Sequence, residues 1–477
     1  MFRNTIIKYV GIGCICLAYA ACKTPVLTGR TENRTVPAGY NNPQDTVNSG
    51  AIKWNTFFTD PNLAALIDTA LKNNQELNIT LQEIAITKNE ITVRKGEYLP
   101  FVGIKGGAGV EKVGRYTSRG ANDATTEIKP GKEMPEPLGD FLIGAYATWE
   151  VDIWHKLRNA KKAAALRYLS TIEGRNFVIT TLIAEIANSY YELLALDNQL
   201  EIVKRNIDIQ TNALEVVKQQ KEAARVTELA VRKFEAEVLN TKSLQYSIQQ
   251  QITETENRIN FLLGRFPQPI PRNAQSLDNV MTESLHAGIP SQLLTSRPDI
   301  KQAELDLAAA KLDVQVAKAQ FYPSLGITAG VGYNAFSPSY LLKTPGSMLY
   351  SLAGELAAPL VNRNAIKAMY LNANAKQIQA VYNYERTIVN AYVEVANQVS
   401  KIDNLQKRYD LKSKQVEALT QSITISNDLF RSARADYMEV LMTQRDALES
   451  KFELIETRKE QMKAKVNIYQ ALGGGWK

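Results

Sequence analysis

The 477-residue sequence predicts a mixed α and β membrane protein built from short amphipathic strands and very long coiled-coil helices. Three observations support this fold class. The sequence contains an internal repeat of two copies. Each copy has two stretches in which apolar and polar residues alternate, and each copy ends in long stretches with helical periodicity. Each copy therefore reads as a helix, a strand pair and then two long helices.

The internal repeat is clearest where the segment beginning at Asn74 is placed under the segment beginning at Arg297. Identical residues then coincide, including the pairs Ala85/Ala308, Lys88/Lys311, Val93/Val316, Pro100/Pro323 and Gly103/Gly326. An internal repeat of this kind indicates the domain boundaries, independently of which helices and strands are predicted. The expected divisions are a signal peptide over 1–21, a lipid-linked segment over 22–50, repeat 1 over 51–266, a linker over 267–290 and repeat 2 over 291–477.

The strand pairs begin at Pro100 and Pro323, because a proline disfavours the helical conformation in the residue before it. Beyond each proline the apolar residues recur at every second position, which is the period of a strand with two different faces. The predicted strands cover about 101–113, 140–154, 324–335 and 347–361. The residues predicted to face lipid are Phe141, Ile143, Trp149, Ile327, Val331, Tyr350 and Leu352.

Four strands of this kind cannot close a membrane barrel alone. An open sheet edge is not tolerated in hydrocarbon, and about eight strands are the practical minimum for a barrel. At least two chains must therefore contribute strands, and three chains would supply about twelve. The alternative is an ordinary antiparallel sheet packed on a protein core, which shows the same alternation.

The helices that follow are unusually long. No proline occurs between Trp154 and Pro267, and apolar residues recur there at coiled-coil spacing. The stretch from His155 to about Ala223 predicts a helix on the order of 100 Å long. Such a rod must pack against its return helix and its neighbours. The predicted turns cover 223–227 and 433–437.

The N-terminus has the layout of a bacterial secretory signal. Basic residues Arg3 and Lys8 precede an apolar run, and small residues lead directly to Cys22. The Cys22 thiolate is a nucleophile that could accept a lipid as a thioether, so we expect lipidation there, although Tyr19 stands where Leu, Val or Ile is usual. The alternative is an incidental thiol near an ordinary cleavage site. The other cysteines, Cys14 and Cys16, would leave with the signal.

Composition argues against several classes of function. The sequence has only two histidines, and it contains no His/Cys cluster with metal-ligand spacing, no phosphate-binding glycine loop and no G-x-S-x-G turn. We therefore predict that the chain is not an enzyme and binds no cofactor or metal. The net charge of +7 is spread along helical patterns without a basic block. We therefore expect no nucleic-acid partner.

Three motifs carry a resemblance to a known family. They are "WEVDIWHKLR" from Trp149, "AGIPSQLLTSRPDI" from Ala287 and "IYQALGGGW" near the C-terminus. Together, and in this order, they resemble the TolC-type outer-membrane efflux family in its OprM-like lipoprotein branch, the RND efflux outer-membrane factors. The chain departs from the family pattern at His155, Ala224 and Ala433, where glycine is frequent.

The resemblance implies a homotrimer in which four strands per chain close a twelve-stranded barrel, continued by a periplasmic tunnel of helices. It implies an outer-membrane, lipid-anchored location and partnership with a periplasmic adaptor (a membrane fusion protein) and an inner-membrane RND-type transporter. The implied function is the exit duct of a tripartite pump for small molecules or drugs. The same duct could instead serve metal-ion efflux or type I protein secretion, and a periplasmic coiled-coil scaffold is the alternative from another class.

The resemblance also points to a periplasmic gate at the second turn. Glu439 aligns with an aspartate of a constricting ring in TolC, Asp436 lies about one helical turn earlier, and Met442 replaces a second acidic residue. The alternative is that Asp436 and Glu439 are ordinary solvated residues. The candidate contacts for the adaptor lie at the two turns and are Arg225, Thr227 and Arg434.

Overall fold

A computed structural model of the protein describes residues 24–40, 47–273, 286–432 and 434–476. The predicted signal peptide, Cys22, part of the predicted linker and Ala433 lie outside these residues. The chain divides into two compact units, and each repeat contributes to both. The strand unit contains Ala85–Leu169, Leu305–Val381 and the described residues up to Thr31, and the helical unit contains Glu32–Ile84, Ser170–Glu304 and Tyr382–Lys477.

The elements follow the predicted order twice. The helices are α1 (Trp54–Phe57), α2 (Pro61–Asn73), α3 (Gln75–Tyr98), α4 (Ser118–Thr125), α5 (Lys156–Glu222), α6 (Glu228–Leu262), α7 (Leu293–Ser296), α8 (Pro298–Ala319), α9 (Asn364–Arg431) and α10 (Tyr437–Ala471). The strands are β1 (Phe101–Glu111), β2 (Glu127–Lys129), β3 (Lys132–Glu133), β4 (Leu138–Val151), β5 (Ser324–Ala335) and β6 (Met348–Ala357). The mixed fold with one strand pair in each repeat is therefore confirmed.

The four long strands form one antiparallel sheet in the order β1, β4, β5, β6. The strand pair of repeat 1 thus lies beside the strand pair of repeat 2. In the described chain, β1 and β6 are the edges of this sheet. Each edge presents backbone donors and acceptors that another strand can pair with.

Three of the predicted strands end earlier than expected, and β1 ends at Glu111 rather than near 113. The strand predicted over 140–154 starts earlier and ends at Val151, because Asp152 turns toward the start of α5 and caps it. The last strand ends at Ala357 rather than near 361. Pairing stops there because Pro359 has no backbone N–H to donate to the neighbouring strand. The segment between β1 and β4 contains α4 and the small β2–β3 hairpin, whose turn residue Gly131 has φ 76°.

The long helices match the predicted rods in length. Helix α5 has 67 residues and α9 has 68, so each is about 100 Å long at about 1.5 Å per residue. Within the helical unit, α5 is anchored by a buried cluster that includes Tyr190, Ile186 and Leu193. The Tyr190 hydroxyl donates to Asp60 Oδ2 at 2.9 Å, so this buried phenol is satisfied. In the described part of the chain, no helix is both long and apolar enough to cross a membrane.

The motif "WEVDIWHKLR" starts α5. Asp152 accepts hydrogen bonds from the backbone N–H of Leu157 at 3.0 Å and of Arg158 at 2.9 Å, which satisfies two donors of the first helical turn. The Arg158 guanidinium returns to Asp152 Oδ2 at 3.1 Å. Between them His155 has φ 61°, and Asn362 has φ 52° at the same place in repeat 2. The departure from glycine at His155 therefore leaves the left-handed turn in place.

Candidate functional site

The register of the sheet determines which residues share a face. Residues directly opposite one another on antiparallel strands point to the same side, and successive residues alternate between sides. Trp149 lies opposite Ile327, and Ala145 lies opposite Val331, which in turn lies opposite Tyr350. One continuous face therefore runs across the strands of both repeats.

All the residues predicted to face lipid lie on this apolar face. Its large members are Val102, Ile104 and Val110 on β1, Phe141, Ile143, Trp149 and Val151 on β4, Leu325, Ile327, Val331 and Tyr333 on β5, and Met348, Tyr350, Leu352 and Leu356 on β6. Ile104, Tyr350 and Leu352 are 84%, 81% and 79% exposed, so no layer of the described chain covers them. An uncovered apolar surface of this extent indicates contact with lipid or another apolar partner. The alternative of a sheet packed on a protein core is therefore disfavoured.

The opposite face of the sheet is more polar. Besides glycines and alanines it carries the polar residues Lys105, Glu111, Asp140, Thr148, Glu150, Ser324, Thr328, Asn334, Ser351 and Glu355, together with five larger apolar or aromatic residues, Phe101, Leu138, Leu142, Tyr146 and Leu349. A strand set with an apolar outer face and a polar inner face is typical of a membrane barrel with a water-filled interior. A strand of 11 residues also spans the apolar band, since about 3.3 Å per residue and a tilt near 40° give a height of about 28 Å.

Two tryptophans anchor the ends of the strands that join the helices. Trp149 Nε1 donates to the carbonyl of Tyr98 at 3.1 Å, and Trp154 Nε1 donates to the carbonyl of Pro323 at 2.8 Å. The Trp154 ring stacks on Tyr322 with centroids 4.7 Å apart. Amphipathic rings in this arrangement suit the interface between hydrocarbon and water. The alternation of β4 predicts the face on which Trp149 lies, but no local pattern predicts the two hydrogen bonds, because each connects distant segments.

The two helix turns have the same backbone design. Arg225 N donates to the Gln220 carbonyl and Arg434 N to the Leu429 carbonyl, both at 2.8 Å, a pattern that closes the end of a helix. Thr227 and Asp436 then occupy the position before α6 and α10 respectively. The predicted turns are thus at the expected places, as far as residues 434–437 of the second turn show.

The two turns are brought together in the helical unit. A buried cluster contains Phe234 and Val231 of α6 and Leu441 of α10, with Phe430 and Tyr437 packed against it. The candidate adaptor contacts at the turns, Arg225, Thr227 and Arg434, are all exposed. The structure therefore places the candidate adaptor surface and the candidate gate at the same end of the helical unit.

The candidate gate residues are exposed in the single chain. Glu439 lies in the first turn of α10 and Asp436 directly precedes that helix. Neither carboxylate forms an ion pair with Arg225, Arg434 or any other described residue. This differs from Glu228 at the equivalent end of α6, where hydrogen bonding by Lys221 and the charges of Lys221 and Arg232 lower the pKa of the carboxyl group. The acidic residues of the second turn thus remain available to line an aperture.

The first turn contains backbone strain at a residue where the family frequently has glycine. Ala224 has φ 55°, a conformation that costs a residue with a Cβ about 1 kcal/mol or more. We expect Ala224→Gly to stabilise the protein by about 1 kcal/mol, measured as a rise in the thermal midpoint. Ala223→Gly is the matched control, since Ala223 N still makes a helical hydrogen bond to Gln219 O, and we expect it to destabilise. A fall in midpoint for both variants would contradict this account of the turn.

The "SRPDI" and "ALGGGW" motifs bind one another. Ser296 Oγ donates to the Leu472 carbonyl at 3.0 Å, and Arg297 donates to the Ala471 carbonyl at 2.9 Å. Gly473 has φ 82°, and a Cβ there would lie 2.5 Å from the Ser296 carbonyl oxygen. Glycine is therefore required at this position for both conformation and space. This latch holds the end of α10 against the start of α8.

Arg297 is the centre of the latch. Its side chain is 6% exposed and pairs with Asp299 and Glu394, each at 2.7 Å. Burial alone would lower the pKa of the guanidinium, but hydrogen bonds and charges from the two carboxylates outweigh it and raise the pKa above its usual value. The role of Arg297 is not predicted by the sequence, in which the motif signals only a family resemblance. Among the described residues, no group of three or more His, Cys, Asp or Glu side chains could hold a metal ion.

These features define a class of protein. The sheet has an exposed apolar face, a more polar face and two unpaired edges, and the turns of the long helices carry exposed polar residues, as in a membrane channel assembled from several chains. The family described as outer membrane efflux protein matches residues 66–265 and 289–474, so the chain belongs to that family. It is an outer-membrane efflux channel, and the predicted family and outer-membrane location are confirmed.

Similar proteins cover nearly the whole chain. The pyoverdine export outer membrane protein OpmQ of Pseudomonas aeruginosa is 28% identical over 468 residues, covering 97% of this chain and 95% of OpmQ. The cation efflux system protein CusC of Escherichia coli O6:H1 is 26% identical over 426 residues, covering 89% and 88% respectively. The open-state crystal structure of the Neisseria gonorrhoeae MtrE outer membrane channel superposes with a TM-score of 0.82 at 22% identity, covering 95% of this chain and 99% of MtrE.

Proposed function

We propose that three copies of this chain form the exit duct of a tripartite pump for small molecules. The duct receives its substrate from a periplasmic adaptor and an inner-membrane RND-type transporter. The observation that supports this most strongly is the four-stranded sheet, whose apolar face is complete but whose edges β1 and β6 are unpaired in the described chain. Three such sheets joined edge to edge supply about twelve strands, enough for a barrel with a water-filled interior.

The substrate class can be tested by deleting the gene from its host. Loss of a small-molecule duct raises the accumulation of amphiphilic dyes and lowers the inhibitory concentrations of drugs, and the intact gene restores both. Export of metal cations is a second candidate, because the chain is similar to CusC, which is named as part of a cation efflux system. Sensitivity of the deletion strain to metal cations, with unchanged dye accumulation, would favour the second candidate and contradict the first.

We propose further that Asp436 and Glu439 line a gate at the second helix turn. Repetition by threefold symmetry would place three copies of each carboxylate around one aperture. Such a ring raises the local negative potential and favours cations. Its support is the exposure of both side chains and their lack of ion pairs in the described residues.

The expected result for Glu439→Gln is a channel with lower cation selectivity and weaker block by divalent cations, because one ring of negative charge is removed. Planar-bilayer recordings of the purified protein measure both properties. Glu254→Gln is the matched control, since Glu254 is an exposed carboxylate in the last third of α6, far along the helix from the turn, and accepts a hydrogen bond from Gln250 at 2.9 Å. Equal cation selectivity and equal divalent block in the two variants would show that Asp436 and Glu439 are ordinary solvated residues.

We also propose that Cys22 carries the lipid anchor of the mature chain. Mass spectrometry of the mature N-terminus is expected to find an acylated cysteine as the first residue. Cys22→Ser is expected to lose this modification while the channel still folds, because acyl chains anchor a protein without building its barrel. An unmodified Cys22, or a mature chain that begins elsewhere, would rule out the anchor.

A further inference from the structure

The loops joining β1 to β4 and β5 to β6 contain a group of cations and aromatic rings that the channel function does not use. This loop cluster consists of Lys129, Lys132, Phe336, Tyr340 and Lys343. Lys129 Nζ lies 4.1 Å from the ring centroid of Tyr340 and 5.5 Å from that of Phe336. Lys343 Nζ lies 4.6 Å from the Tyr340 centroid, and the two rings stack with centroids 5.3 Å apart. The rings therefore hold the lysines of two separate loops together.

In the described chain, the nearby carboxylates form no ion pair with the lysines of the loop cluster, and that of Glu127 accepts a hydrogen bond from Gly131 N at 2.9 Å. Glu133 and Glu136 instead pair with Arg115 at 3.5 and 2.7 Å. Among the described residues, none of the three lysines of the loop cluster forms an ion pair. A hydrogen bond from Lys129, together with the charges of all three lysines, lowers the pKa of Tyr340. The loop cluster therefore presents a concentrated positive potential to an anionic ligand.

The position of the loop cluster relates it to the membrane. Both loops lie at the strand ends that are away from the helices, where Glu111 pairs with Leu138 and Tyr333 with Met348. Tyr333 is on the apolar face, and its hydroxyl accepts a hydrogen bond from Thr344 Oγ1 at 3.4 Å. Thr344 directly follows Lys343. The loop cluster thus borders the rim of the apolar face.

We infer that the loop cluster binds the phosphate groups of a phosphorylated glycolipid in the outer leaflet. Lysine ammonium groups bind phosphate as point charges, and basic sites at the edge of a membrane-spanning surface bind anionic headgroups. The rim position favours a lipid over a free phosphate ion, because the acyl chains of a bound lipid would continue along the neighbouring apolar face. The bound glycolipid would surround the outer rim of the channel.

Native mass spectrometry of the purified channel in detergent tests this inference, with diphosphorylated lipid A as the probe. The affinity is expected to fall at least about tenfold when Lys129, Lys132 and Lys343 are all replaced by Gln, and to be retained when all three are replaced by Arg. The matched control replaces Lys72, Lys242 and Lys376 by Gln, three exposed lysines elsewhere that remove the same charge. We expect this control to change the affinity less than about twofold.

Two further measurements use the unaltered protein and distinguish a lipid phosphate from a free phosphate ion. Lipid A from which the phosphates have been removed is expected to bind at least about tenfold more weakly, and millimolar inorganic phosphate is expected not to displace the intact lipid. Equal binding of the dephosphorylated lipid, or equal loss in the control variant, would overturn the inference. Displacement by inorganic phosphate would assign the loop cluster to a free anion and overturn the lipid assignment. These outcomes are independent of the transported substrate and of the gate.

Discussion

Replacing Ile143 by Arg is expected to destabilise the channel in a lipid bilayer by about 2 to 4 kcal/mol per chain, if the residue lies near the bilayer midplane. Ile143 lies on the apolar face, directly opposite Gly106 on β1 and Tyr333 on β5. The small neighbour leaves room for a larger side chain, so crowding contributes little. The cost therefore comes from moving a guanidinium from water into hydrocarbon.

Thr148→Arg is the matched control on the polar face of the same strand. Thr148 lies opposite Phe101 and Thr328 and is exposed. An arginine there would extend into the water-filled interior, and we expect little change in stability. Denaturant unfolding of both variants in liposomes measures the difference. Equal destabilisation by both variants, or a larger effect of Thr148→Arg, would contradict the assignment of the two faces.

Replacing Arg297 by Ala is expected to destabilise the protein by about 1 to 3 kcal/mol, because the Ala471 carbonyl and the largely buried carboxylate of Asp299 would lose their hydrogen-bond donor. The carboxylates of Asp299 and Glu394 would lose their shared cation, and the carbonyl of Ala471 would lose a donor. The end of α10 would then be released from the start of α8. A lower thermal midpoint and faster proteolysis near the C-terminus are the expected readouts.

Two variants separate this latch from a general effect of charge. Arg297→Lys keeps the positive charge, but an ammonium group lacks the planar guanidinium that reaches two carboxylates and a carbonyl at once. We therefore expect a loss of stability between that of Arg297→Ala and zero. Arg232→Ala removes an exposed arginine that also pairs with two carboxylates, Glu228 and Glu235, and we expect no measurable change. If Arg232→Ala lowered the midpoint as much as Arg297→Ala, the latch would have no special role.

The repeat, the four long strands and the long helices could be predicted because each has a local signal. Prolines such as Pro100 end a helix, alternation defines a strand, and the parity of that alternation places Phe141, Ile143 and Trp149 on one side of β4. The register between strands is not encoded in any single strand. The pairing of Val331 with both Ala145 and Tyr350 joins the separate apolar patterns into one face.

Features that depend on distant or unusual geometry could not be predicted. Arg297 and Ala471 are 174 positions apart in the sequence, so no local pattern reveals their hydrogen bond. The β2–β3 hairpin has the polar composition of an ordinary loop, and only its pairing distinguishes it. Ala224 adopts a left-handed conformation that a residue with a Cβ does not signal. The loop cluster combines residues of two loops, each unremarkable alone.

The number of chains in the channel tests the central claim most directly. Four strands with two unpaired edges cannot form a closed barrel, so the detergent-solubilised mature protein is expected to be a trimer. Native mass spectrometry, which gives the mass independently of bound detergent, is the decisive measurement. A mass of three chains in a sample with full β-structure is the predicted result. A monodisperse monomer with the same β-structure would contradict it.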